Sequence, residues 1–116
     1  MIKEFSIHKP NYPEVGKLYY DTESREFTLE VYPNFKKSEV TALMGIMLER
    51  KIYKVEHELA ICFVRERIVP PNRQNISQIL ADLKMPYYDE CLFLERLHGR
   101  CDMDDFEVEP LFKSEI

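Results

Sequence analysis

Ligand-type side chains crowd at one place in this 116-residue chain: His98, Arg100, Cys101, Asp102, Asp104 and Asp105. A divalent ion needs several oxygens, or a nitrogen–sulfur set, at fixed geometry. This run has neither the spacing of a calcium loop nor a paired Cys/His pattern. The expectation is a solvated turn in which Arg100 pairs with an acid, and no metal. Nucleophilic catalysis would need a cysteine or serine beside a base. Cys62, Cys91 and Cys101 are scattered relative to the three histidines, and no nucleophile elbow occurs. Cys62 and Cys91 are therefore expected at partly buried helix positions, as small hydrophobes. Three isolated glycines give no loop that would cradle a phosphate. The residues predict no catalytic, cofactor-binding or metal site.

Two further groupings suggest binding. Arg65, Arg67, Arg73, Gln74 and Asn75 straddle Pro70 and Pro71, and arginines held by rigid prolines suit bidentate recognition of a partner's carboxylate or phosphate. The plainer expectation is that they balance neighbouring acids on a solvated face. Residues 75–84, a turn at 85–88 and residues 89–98 have the size of a helix-turn-helix. In that motif the second helix needs donors or cations near its start, and here Asp89 and Glu90 stand there. DNA would be repelled, so a helical hairpin that closes the core is expected.

The elements that must position these residues follow from punctuation and period. Phe27, Leu29 and Val31 alternate strictly, after Val15 to Tyr20 and the polar group 21–24, which predicts a β-hairpin. Ile2 to His8 alternates weakly and suggests a short first strand, with Ile2 or Phe5 and Ile7 on one face; residues 1–14 read as an added strand or an extended arm. Ser38 and Glu39 open a helix to about Arg50 along Val40, Leu43, Met44 and Met47, at the cost of Gly45 inside it. Val55, Leu59, Cys62 and Phe63 mark the face of a second helix, closed near Ile68 by the double proline. Asn72 or Asn75 caps a third helix with Ile76, Ile79, Leu80 and Leu83 on one stripe. Asp89 caps a fourth, carrying Leu92, Phe93 and Leu97, which stops at Gly99 as the left-handed residue. Phe106, Val108 and Leu111 predict a closing strand ended by Pro110. Segregated strands and helices favour an α+β domain: a small antiparallel sheet packed by about four short helices, with a final C-terminal strand.

Bulk properties agree with one domain spanning residues 1–116. The hydrophobic fraction is 45%, ordinary for a packed core. A formal charge of −5 opposes attraction to nucleic acid and anionic lipid. The longest apolar run is far short of the ~20 residues that cross a bilayer. Without an apolar leader, and with an odd number of well-spaced cysteines, the chain is expected in a reducing cytoplasm.

From the double proline onward the spacing resembles the N-terminal subdomain of the HipA-type serine/threonine kinase toxins, which also occurs as the free-standing HipS proteins of three-gene HipBST operons. The corresponding residues are Val69 and Pro70, Ile79 and Leu80, Pro86 and Asp89, Cys91 to Leu94, Gly99 and Arg100, and Phe106 to Pro110. Upstream, Val15, Gly16, Leu18 and Phe27 are similar to the family's first hairpin, so the resemblance spans about residues 15–110. It differs at Asp104 and Asp105, where the family has a Gly-Ala pair, and around Met47 to Arg50, where the family's Ser-Leu-Pro-Leu segment has no counterpart.

The resemblance implies a non-catalytic, antitoxin-like module that binds a HipA- or HipT-type kinase, because the family's active site lies in a larger lobe without counterpart here. The implied interface is apolar at its centre, with Tyr53, Tyr87 or Tyr88 as anchors and Arg73 and Arg100 on the rim; Arg67 and Gln74 from the proline-held group complete the candidate partner-binding set. Two other classes compete. A small acidic phage or mobile-element inhibitor, mimicking nucleic acid toward a host enzyme, would gather Glu49, Glu56, Glu58, Asp102, Asp104 and Asp105 on one face. A transcription regulator would need a basic recognition surface. A homodimer stays open.

Overall fold

A computed structural model describes residues 1–112. Strands β1 (Ile2–His8), β2 (Gly16–Asp21) and β3 (Glu26–Val31) are followed by a 3-10 turn at Lys37–Glu39, helix α1 (Ala42–Glu49), strand β4 (Lys54–Val55), helices α2 (His57–Arg65), α3 (Ile76–Asp82) and α4 (Glu90–Leu97), and strand β5 (Glu107–Pro110). The strands form one antiparallel sheet in the order β4-β3-β2-β1-β5. The α+β architecture, with its N-terminal hairpin and closing strand, is the expected one. Among the described residues no helix is long and apolar enough to cross a membrane.

Register explains which side of the sheet is inside. Phe5 faces Leu18, which faces Leu29, and Ile7 faces Val108; all five are fully buried. The helices cover this side. α2 packs on β3, α4 packs on β5 and α2, and α1 reaches β3. Phe5, Phe27, Phe63 and Phe93 are sealed in the single core cluster, each contributing about 2–3 kcal/mol by burial. Of the two expectations for the first residues, a strand and an extended arm, the strand is the one observed, and it lies inside the sheet, between β2 and β5. Its inward residues are Phe5 and Ile7, while Ile2 is exposed.

The hairpin turn is built by Asp21, whose carboxylate accepts the Glu23 and Ser24 backbone N–H groups at 2.9 and 3.4 Å. Those two bonds hold its carboxyl below the usual range. At the other sheet edge a two-residue strand, unforeseen in the sequence, takes Val55 out of the helix to which its spacing assigned it. Beyond it, the Phe27 N–H donates to Nδ1 of His57 at 2.9 Å, and the Val31 N–H to the Tyr53 carbonyl at 2.9 Å. The edge of β3 is thus satisfied without a longer strand.

Several helix boundaries differ from the sequence reading, each for a local reason. Thr41, not Ser38, caps α1: its hydroxyl accepts the Met44 N–H at 3.4 Å. Ser38 and Glu39 are spent in the 3-10 turn, where the Glu39 carboxylate accepts the Lys36 N–H at 2.8 Å. With Val55 in the sheet, α2 turns a different face inward: Ala60, Ile61, Phe63 and Val64 are buried, while Leu59 and Cys62 are exposed. Asn75 stands at the start of α3 without a side-chain cap bond. Ile76, Ile79, Leu80 and Leu83 pack on the core as expected. Asp89 caps α4 through the Leu92 N–H at 2.9 Å. The left-handed exit starts one residue early, at His98 (φ 56°), and continues through Gly99 (φ 61°). Leu111, offered as the strand's last apolar residue, is exposed.

Candidate functional site

The proline-held segment and the turn before α4 meet through one bond. The Tyr88 hydroxyl donates to the Val69 carbonyl at 2.7 Å, and its ring tilts against Phe93 with centroids 5.1 Å apart. Burial pushes the Tyr88 hydroxyl pKa up, with Glu90 adding to the effect, so the donor stays protonated. Tyr88 is half-buried and acts as a latch. Its neighbour Tyr87 is 60% exposed, and Arg73 and Gln74 lie exposed on the segment that follows Val69. That segment is shaped by Pro70 and by a chain of turns: the Arg73 N–H donates to the Pro70 carbonyl at 3.3 Å and the Ile76 N–H to the Arg73 carbonyl at 3.1 Å.

The remaining candidates are elsewhere. Tyr53, 41% exposed, adjoins β4, whereas Arg100 pairs with Glu107 of β5 at 3.0 Å. Those strands are opposite edges of the sheet, so the seven residues do not form one patch. Arg100 pairs an acid as the sequence led us to expect. Arg67 is a correction. The sequence put it on a binding surface, but its side chain is inside the protein, donating to the Gly99 carbonyl at 3.0 Å and the Phe106 carbonyl at 3.4 Å and pairing with Asp104. Its guanidinium also stacks on Phe63, 4.6 Å from the ring centre.

That arrangement also resolves the acidic turn. Asp104 holds Arg67 and accepts the Phe106 N–H at 2.9 Å, and among the described residues no group of three ligand-type side chains is placed to hold a metal. The acids on which the inhibitor reading depended are scattered. Glu49 pairs with Lys37, Glu56 and Glu58 stand at the start of α2, and Asp104 binds two residues past its end. Helix α4 buries Cys91 to Glu95 without a break, so the second helix of the hairpin is a core helix and has no free face for a groove.

One cleft of about 240 Å³ is lined by Lys3, Tyr20, Arg25, Tyr87, Cys91 and Glu95 among others. The buried Glu95 carboxylate accepts from Lys3 at 3.4 Å and from the Cys91 thiol at 3.7 Å. Burial, and then the Glu95 charge, raises the Cys91 pKa far above the usual thiol range, which leaves it a poor nucleophile. The cleft therefore holds an ion pair and an inert thiol rather than an activated group. Neither Lys3 nor Glu95 was singled out in the sequence: Lys3 takes an inward strand position normally apolar, and only the register with Tyr20 reveals it. Comparison with protein-family models, curated proteins and solved structures finds no match to this chain.

Proposed function

We propose that the chain is a non-catalytic protein-binding module of antitoxin type, whose partner is a HipA- or HipT-type serine/threonine kinase. One observation carries this reading: the Tyr88–Val69 bond joins the turn bearing exposed Tyr87 to the segment bearing exposed Arg73 and Gln74. A rigid aromatic anchor beside an arginine is the composition of an interface hot spot. Prolines and the latch fix both before a partner arrives, which reduces the ordering cost of binding. Tyr53 and Arg100, on opposite sheet edges, are peripheral to this surface in the proposal. The α+β order of strands and helices is the one the sequence led us to expect. The regulator reading is weakened by the burial of α4.

Co-expression with a HipT-type kinase tests it. The two chains should co-purify and kinase autophosphorylation should fall. Tyr87→Ala should weaken binding at least about tenfold, the scale of a modest hot spot. Tyr88→Phe, which keeps the ring but loses the latch, should weaken it less. Separate elution with undiminished kinase activity would overturn the proposal.

A further inference from the structure

The sheet has a second side, and the helices leave it open. Strand alternation sends Glu4, Asp21, Glu26, Glu30, Glu107 and Glu109 there, opposite the core. Among the described residues alternation puts the ammonium groups of Lys17 and Lys54 among them, while Arg100 pairs with Glu107 and His8 bonds to Glu109. Six carboxylates against two lysines and Arg100 leave −3, set against −5 for the entire chain. Much of the protein's net acidity is therefore gathered on one face of the sheet.

The geometry of that face is fixed from within. Tyr19 donates to Glu30 at 2.7 Å and Tyr32 to Glu14 at 2.6 Å. Lys17 bridges to Glu4 at 3.2 Å, and Lys54 lies over the Tyr19 ring, 5.3 Å from its centre. Burial and then the adjoining carboxylates push both tyrosine hydroxyls up. Lys17 is raised by its bond to Glu4 and further by Glu14 and Glu30. Carboxylates from two strands, Glu4 of β1 and Glu30 of β3, and Glu14 of a loop thus act on the same groups. The outcome is a flat surface of immobilised aromatic rings and partly exposed carboxylates, with Glu4 and Glu109 about half exposed.

Charge decides the occupant. A second copy would set −3 against −3, and nucleic acid or an anionic membrane would be repelled in the same way. A protein surface rich in lysine and arginine is complemented, its guanidinium groups finding both carboxylates and aromatic faces. We propose that the open face of the sheet is a docking surface for a flat, lysine- and arginine-rich surface of a protein partner. This rests on the charge and openness of the face, not on the kinase reading, and involves none of Arg73, Gln74 or Tyr87.

Decaarginine is the probe, titrated into isotope-labelled full-length protein and followed by amide NMR. Shifts should concentrate on β1, β2 and β3 and should shrink as salt rises. Glu4→Gln/Glu30→Gln/Glu109→Gln should weaken binding by about tenfold or more, since each close charge pair contributes on the order of 1 kcal/mol. Glu49→Gln/Glu58→Gln/Asp102→Asn removes the same charge elsewhere and should leave the affinity within about twofold, as screened distant charges contribute little. Melting curves check that both variants are folded. Equal loss in the two variants, shifts spread over all acids, or spermine binding as tightly as the peptide would each overturn the proposal.

Discussion

Arg67 and Asp104 form an ion pair that is asymmetric in burial: the arginine side chain is 1% exposed and the aspartate 24%. The guanidinium belongs to the core, where it joins the exit of α4 to the start of β5 through the Gly99 and Phe106 carbonyls. Among the described residues its Nε has no hydrogen-bond partner, which adds to the cost of keeping a charge there.

The asymmetry predicts unequal mutants. Asp104→Ala strands a buried cation and should cost about 3–5 kcal/mol. Arg67→Met fills much of the same volume and leaves a carboxylate that water can reach, so it should cost about 2 kcal/mol less than Asp104→Ala. Urea denaturation of the two variants gives the comparison. A larger loss in Arg67→Met would show that the carbonyl contacts, not the charge pair, hold this corner together.

The same pair shows where sequence reasoning stops. An arginine near prolines and acids reads as surface because charged side chains are almost never fully buried. Only the long-range meeting of residues 67, 99, 104 and 106 places it inside. Local signals fared better: the alternation of Phe27, Leu29 and Val31 and the Asp89 cap were legible because each depends on neighbours in the chain. The face of α2 was not, since Val55 entered β4 and reset the helix phase toward Ile61 and Val64. The candidate surface was half legible. Tyr87, Arg73 and Gln74 could be named, but the Tyr88–Val69 bond that unites them could not. The acidic face draws on alternate residues of separate strands, and no window along the chain displays it.

Both ring nitrogens of His8 face acceptors: Nδ1 lies 3.0 Å from the Lys9 carbonyl and Nε2 2.9 Å from the Glu109 carboxylate. A neutral imidazole has one N–H and satisfies one of them. Burial opposes the charged ring, yet the Lys9 and Glu109 bonds, with the charges of Glu109 and Glu107, outweigh it and raise the pKa. A raised folded-state value means the contribution is complete below the unfolded value of about 6.5 and fades as pH climbs through the folded one. The stability gap between the parent and His8→Gln should be widest near pH ~5.5 and close by pH ~8. Urea midpoints across that range test the sign; a gap that widens with pH refutes it.

Cysteine reactivity should separate the three thiols by burial. Cys62 is exposed, Cys101 intermediate and Cys91 buried, and the raised pKa of Cys91 denies it the thiolate that attacks disulfide reagents. Timed alkylation read by peptide mass spectrometry should modify Cys62 first and Cys101 next. Cys91 should lag by about a hundredfold or more, because it must wait for an opening of the fold. Urea should abolish the difference. Rapid labelling of Cys91 in native protein would mean that α4 opens readily.

Two glycines should respond unequally to alanine. At Gly99 the backbone is left-handed, and an added Cβ would come within 2.7 Å of Val108 Cγ2, on a residue sealed in the core. Strain in φ costs about 1 kcal/mol and the clash adds to it, so Gly99→Ala should lose about 2–3 kcal/mol. Gly45 lies inside α1 with ordinary helical geometry, and its nearest obstacle is Cγ of Lys37, 2.9 Å away on a flexible chain. Cγ lies near the root of that side chain and the Lys37 carbonyl is 3.5 Å away, so making room costs a change of the lysine's conformation and its exposed contact with Glu49. Removing a glycine from a helix interior offsets that cost, and Gly45→Ala should stay within about 1 kcal/mol of the parent. Thermal melts of the two variants against the parent compare the losses. A loss in Gly45→Ala as large as that in Gly99→Ala would show that the approach of Lys37 to α1 is rigid, tying the 3-10 turn to the helix more tightly than a lysine stem ordinarily does.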